Sequence, residues 1–260
     1  MDRIQKAIEL ARAQRSTEPP MPTTGNLPAD RTPPRLTYTR TRVIDVSPRT
    51  WRDQRVVLGD ADDAVTRSYK MLRTQVLQRM RENAWNALAV VSPGVSEGKS
   101  LTAVNLALSL AREVRHTVLL VDLDLRQPRL HRFFGYEPEH GLSDYLANGT
   151  PLSDILFNPG VERLVVLPSA KPMTDSSETL SSPRLTQLVE ELKRRYPTRI
   201  VLFDLPPLLT TDDALVFSPY ADSALLVVEE GKTRREDITR AFDLLKTTPV
   251  LGTVLNKART

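Results

Sequence analysis

Six short apolar runs recur along this chain: "ALAVVS" (87–92), "TVLLVDLD" (117–124), "RLVVLP" (163–168), "RIVLFDLP" (199–206), "SALLVVEE" (223–230) and "LGTVLN" (251–256). Each is continuous rather than alternating, as strands buried on both faces of a parallel sheet require. Between them lie stretches with helical character at 101–114, 183–195 and 233–246. Strand, helix and strand repeated in this way predict an α/β domain, a doubly wound and mostly parallel sheet with helices on both faces. The domain is expected over 61–260, with no internal repeat.

Upstream the character changes. Ile4, Ala7, Ile8 and Ala11 predict a helix over 1–15. From Ser16 to Thr39 six prolines and few apolar residues mark a linker, which is taken to run to residue 60. A second helix is expected from Asp62, because Val65, Tyr69, Leu72, Val76 and Met80 step by three or four. Residues 1–55 hold 11 Lys/Arg against 6 Asp/Glu, and the other 205 residues hold 25 against 26. The net charge of +4 therefore belongs to the N-terminal arm, which suits an anionic membrane surface, nucleic acid or an acidic partner, and equally a merely solvated tail. No apolar run reaches the ~18 residues of a membrane span, and the charged start is unlike a signal peptide. With no cysteine, disulfides and thiolate chemistry are excluded. A cytoplasmic protein is expected.

The first apolar run leads into "PGVSEGKS", which is followed by the helical "LTAVNLALSLARE". Strand, loop and helix in this order are what a phosphate-binding loop needs. Backbone N–H groups and the helix N-terminus then point at the phosphates. Gly94, Val95, Ser96, Glu97, Gly98, Lys99, Ser100 and Leu101 are the expected nucleotide-binding residues, with Lys99 on the β/γ-phosphates and Ser100 on Mg²⁺. The consensus G-x-x-x-x-G-K-[ST] asks for glycine where Pro93 stands. That first position serves mainly the turn, so its replacement is tolerable.

Two further runs end in carboxylates, one at Asp122-Leu123-Asp124 and one at Asp204. Aspartates at the carboxyl ends of parallel strands face the crevice where such sheets bind ligands, and an apolar strand ending in Asp is a common Mg²⁺ holder. Each taken alone also admits the lesser reading of a helix cap or a turn residue. Together with the loop they predict a site for ATP and Mg²⁺, with Ser100, Asp122 and Asp204 around the metal.

At "TVLLVDLDLRQPRLHRFFG", following "SPGVSEGKSLTAVNLALSLA", the chain resembles the bacterial tyrosine kinases, P-loop proteins related to partition and division-site ATPases. "VLPSAKPMTDSSETLSSPRLTQLVEEL", "DLPPLLTTDDAL", "LLVVEEGKTRREDI" and "LGTVLNK" keep that family's order, so the resemblance covers about residues 60–257. The opening "IQKAIELARAQR" is similar to stand-alone members linked to exopolysaccharide export. The resemblance implies a protein-tyrosine autokinase in which Lys99, Asp122, Asp124 and Asp204 are catalytic. Asp122 and Asp124 would position metal and accept the tyrosine proton. Asn256 would bind adenine as in related ATPases, although a strand-end turn explains it equally well.

The implied partners are a transmembrane polysaccharide co-polymerase acting as activator, further copies of the chain, and the inner membrane surface through the basic arm. Two departures from the family bear on this. Its Glu-x-x-Arg-x-x-Arg ring-assembly pattern reads Arg67, Lys70 and Arg73 here, so repulsion replaces an ion pair, and no tyrosine follows Tyr220. The competing class is an ATPase that switches assembly by its nucleotide state without tyrosine transfer. A DNA-associated partition ATPase draws only on the basic arm and is the weakest reading, so nucleic acid is not the expected partner.

Overall fold

The computed structural model describes residues 41–59, 63–196 and 198–258. The helix expected over 1–15 and the proline-rich stretch to residue 40 lie outside them. The chain divides after Arg35, and the described residues belong to the second unit, Leu36–Thr260.

In chain order the elements begin with β1 (Arg42–Val43), α1 (Pro48–Asp53), α2 (Ala64–Glu82), β2 (Ala87–Val91), α3 (Lys99–Ala111) and β3 (Thr117–Asp122). After a 3₁₀ turn at Leu130–Phe134 come α4 (Leu142–Asn148), α5 (Leu152–Ile155), β4 (Phe157–Asn158), β5 (Leu164–Leu167), α6 (Ser176–Leu180) and α7 (Pro183–Arg194). The chain continues through β6 (Arg199–Asp204), α8 (Asp213–Phe217), β7 (Ser223–Glu229), α9 (Arg235–Leu244) and β8 (Val250–Asn256). The eight strands form one sheet in the order β1-β4-β5-β3-β6-β2-β7-β8. Its pairings are parallel except for β4 with β5.

All six expected strands form, and the continuous apolar character of the inner ones has the anticipated cause. Successive side chains of a strand point to opposite faces. Ala87, Ala89 and Val91 of β2 join a core with Leu188 and Leu192 of α7 and Ala241 of α9. Leu88 and Val90 join the opposite core, with Val76 and Met80 of α2 and Leu106 and Leu110 of α3. Helices therefore cover both faces, and α3 is buried on nearly every side. The edge strand β8 differs, with Thr253 and Leu255 exposed.

Helix α2 is capped by Asp63, whose side chain accepts the Thr66 N–H at 2.6 Å. Its inward stripe departs from the expected one at the start, where Thr66 is buried and Val65 is 53% exposed. Val76 and Met80 hold their expected place.

The linker assigned to 16–60 is shorter than expected, because β1 and α1 fall within it. Ser47 caps α1, Pro48 opens it, and β1 pairs in parallel with β4. Trp51 is buried edge-on against Phe134, with ring centres 5.7 Å apart, and the Val57 N–H donates to Asn105 Oδ1 of α3 at 2.8 Å. A six-residue helix is too short to display a period, so the sequence gives no pattern for it. Trp51→Ala is expected to cost about 3–5 kcal/mol in a denaturant titration. A change below about 0.5 kcal/mol, the size of a surface substitution, would mean that this segment adds nothing to the core.

Candidate active site

Strand β2 lies between β6 and β7, so its loop, Ser92–Gly98, leaves from the middle of the sheet. Ser96 (φ 62°) and Gly98 (φ 91°) adopt the left-handed conformation, which coils the loop before α3 opens at Lys99. A Cβ on Gly98 would run into the Asn256 side-chain amide, so any larger residue there would displace that amide as well as strain φ. Pro93 fits because its position needs no N–H. Its carbonyl accepts the Leu209 N–H at 3.1 Å, tying the loop root to the segment after β6.

Glu97, expected among the nucleotide contacts, borders the cleft, and its side chain braces the loop. Its carboxylate accepts the Gly94 N–H at 2.9 Å and the Thr233 hydroxyl at 2.5 Å. Asn256 donates from Nδ2 to the Glu97 carbonyl at 2.9 Å.

Lys99 departs from what an exposed loop lysine would show. It is 6% exposed, and its Nζ lies 2.6 Å from Asp204 Oδ1 and 3.2 Å from Ser100 Oγ. The pairing follows from the sheet. Asp204 ends β6, whose neighbour β2 carries the loop, so the carboxylate meets the first turn of α3. Asp122 pairs in register with Asp204 across β3 and β6. It is fully buried, and its two oxygens accept the N–H groups of Asp124 (3.2 Å) and Leu130 (3.1 Å). Burial, and then the Asp204 charge, push its carboxyl well above the usual carboxylate range. Asp124, two residues further on, accepts the Gln127 N–H at 3.1 Å and is also raised, chiefly by burial.

A cleft of about 570 Å³ opens between these parts. Ser96–Leu101, Asp124 and Asp204 border it, whereas Gly94, Asp122 and Asn256 do not. Of the two aspartates on the β3 end, Asp124 is thus the one that borders the cleft, and Asp122 holds the turn beneath it. Arg126, Arg129, Phe133 and Thr211 also border the cleft, and the sequence reading did not single them out. Arg126 is fixed by Asp213, with Nε–Oδ2 at 3.1 Å and Nη2–Oδ1 at 3.2 Å. Burial raises the Asp213 carboxyl, but hydrogen bonds from Arg126, Ser177 and Ser176 outweigh it and hold the group low. The quoted "RQPRLH" and "TTDDAL" contain this pair, but nothing in their spacing says that they meet.

Among the described residues no cluster of three or more His, Cys, Asp or Glu could hold a metal ion by itself. Mg²⁺ is usually held by one or two carboxylates, water and substrate phosphates. Ser100 and Asp204, two of the residues expected around the metal, are joined through Lys99. Of Arg67, Lys70 and Arg73 on α2, the last donates to the Ser109 carbonyl of α3 at 3.2 Å.

An AAA domain family model matches residues 89–250. The tyrosine-protein kinase YwqD of Bacillus subtilis (strain 168) is 32% identical over 190 residues, 72% of this chain and 79% of that protein. Among solved structures, the chimerical protein CapA2B2 superposes with a TM-score of 0.74 at 25% identity, covering 84% of this chain and 94% of that one. The kinase domain of the Escherichia coli tyrosine kinase ETK gives 0.72 at 26% identity, covering 84% and 89%.

Proposed function

Because the chain belongs to the bacterial tyrosine-protein kinase family and carries its AAA domain, we propose that this cleft transfers the γ-phosphoryl group of ATP to tyrosine hydroxyls. The observation that carries this reading is the meeting of Lys99, Ser100 and Asp204 at the start of α3, with Asp124 on the same cleft. Phosphoryl transfer asks mainly for positioning and charge neutralisation, and this constellation supplies both.

In this reading the loop N–H groups and the N-terminus of α3 hold the phosphates. Lys99 exchanges Asp204 for the β/γ-phosphates, which releases the Asp204 carboxylate. Ser100 Oγ and Asp204 would then hold Mg²⁺, which neutralises charge on the phosphate oxygens when bound. Asp124 accepts the proton of the incoming tyrosine hydroxyl, whose ordinary pKa of about 10 leaves it protonated at neutral pH. Asp122 holds the Asp124 and Leu130 N–H groups and so fixes where Asp124 stands.

The biological setting belongs to the same proposal. Resemblance to stand-alone exopolysaccharide kinases supports a cytoplasmic enzyme of polysaccharide assembly, activated by the cytoplasmic segment of a membrane protein. Among the described residues no helix is long and apolar enough to cross a membrane. A surplus of positive charge in residues 1–55 would favour anionic lipid, by about 1 kcal/mol for each well-placed cation.

The test is the fate of labelled γ-phosphate when the chain and Mg-ATP are incubated with candidate activator segments. Label in phosphotyrosine supports the kinase. Label found only in free phosphate supports the nucleotide-switched ATPase.

A further inference from the structure

Three successive carbonyls of the phosphate loop are each held from outside the cleft. Lys232 Nζ donates to the Val95 carbonyl at 3.2 Å, Lys257 Nζ to Ser96 at 2.8 Å, and Asn256 Nδ2 to Glu97 at 2.9 Å. These donors come from the ends of the two outermost strands on that side. Glu229 ends β7 and stands in register with Asn256 at the end of β8. The Glu229 carboxylate gathers both lysines, lying 2.9 Å from Lys257 and 3.3 Å from Lys232. Lys257 itself is left-handed (φ 57°), an uncommon state for a lysine that turns its side chain back over the loop.

The physical consequence follows from the planar trans peptide, whose C=O and N–H point in opposite directions. Holding the carbonyls of Val95, Ser96 and Glu97 outward turns the N–H groups of Ser96, Glu97 and Gly98 inward. Successive inward N–H groups make an anion-binding concavity. We propose that Asn256, Lys257 and Lys232, gathered by Glu229, form a clamp that presets the loop N–H groups for the nucleotide phosphates. They are positioning residues, acting through loop geometry rather than by touching the ligand. The inference rests on the kinase reading of the same site and assigns Asn256 a role other than binding adenine.

The clamp makes a prediction opposite in sign to simple electrostatics. Removing a negative charge near a polyanion site should tighten binding by Coulomb's law. Glu229→Ala releases both lysines and is instead expected to weaken Mg-ATP binding about fivefold. Lys257→Met is expected to weaken it similarly, Lys257→Arg to retain most affinity, and the pair Lys257→Met/Lys232→Met to lose more than either alone. The lysine side chains are about half exposed, so these chains should fold and melt close to the native temperature. The measurement is titration of the full chain with labelled ATP and Mg²⁺, together with the KM and kcat of phosphorylation. The clamp predicts a rise in KM larger than the fall in kcat. Glu229→Ala binding as tightly as the native chain, or tighter, overturns the clamp while leaving the kinase reading intact. Failure of the native chain itself to bind Mg-ATP removes both.

Discussion

Lys99→Met is expected to lower phosphoryl transfer by about 10²–10³-fold, the usual loss when one preorganised charge-stabilising donor is removed. It is also expected to destabilise the domain, which would not follow for a lysine on an exposed loop. Lys99 and Asp204 are both buried, with side chains 7% and 2% exposed. Removing one partner leaves the other as an uncompensated buried charge, at a cost of about 3–5 kcal/mol. Removing both avoids that penalty. Lys99→Met/Asp204→Asn should therefore be more stable than Lys99→Met alone, with activity no higher. Denaturant titrations of the two single variants and the double variant give the coupling directly. Additive losses of stability would show that the 2.6 Å contact carries no net pairing.

Asp124→Asn is expected to lower kcat by about 10²–10⁴-fold, the range for losing a general base. Substrate binding should change far less. The pH dependence identifies the group. Burial raises the Asp124 carboxyl above the ordinary carboxylate range, with Asp204 adding to the rise and Lys99 opposing it. A base works only when ionised, so activity should fall as pH drops through this raised value. The asparagine variant should lack that acid limb, and a limb that persists unchanged in it would belong to another group.

The same burial has a consequence for stability. Asp122 and Asp124 bind protons more tightly in the folded than in the unfolded chain. By linkage they oppose folding increasingly as pH rises from the unfolded value of about 3.9 toward the folded one.

How much of this could be read from the sequence depended on whether the signal was local. Strands β2, β3, β6 and β7 are buried on both faces, so their apolar runs were continuous and identified a parallel sheet. The phosphate loop, Lys99 and the strand-end aspartates sit at fixed offsets from those runs and could be found the same way. Helix α1 was hidden because it is six residues long and is held by a distant partner, Phe134. The Lys99–Asp204 pair joins residues 105 positions apart, and the Arg126–Asp213 pair joins residues 87 apart. Only the strand order brings such residues together, and no spacing rule encodes it. The hydrogen bonds of the Glu97 and Asn256 side chains were hidden for the same reason, since a residue type and a place on a loop do not say which way a side chain turns. Asp122 and Asp124 looked equivalent in sequence, and the turn to Leu130 separates a buried brace from a cleft-facing carboxylate.

The central claim is that this cleft moves phosphate to tyrosine. It is tested most directly by intact-mass measurement and phosphosite mapping of the purified chain after incubation with Mg-ATP over a range of protein concentrations. The account predicts phosphate increments on tyrosine that grow with concentration, increase further with an activating membrane-protein segment, and vanish in Asp124→Asn. ATP turnover with no phosphotyrosine at any concentration, with or without such a segment, would contradict it.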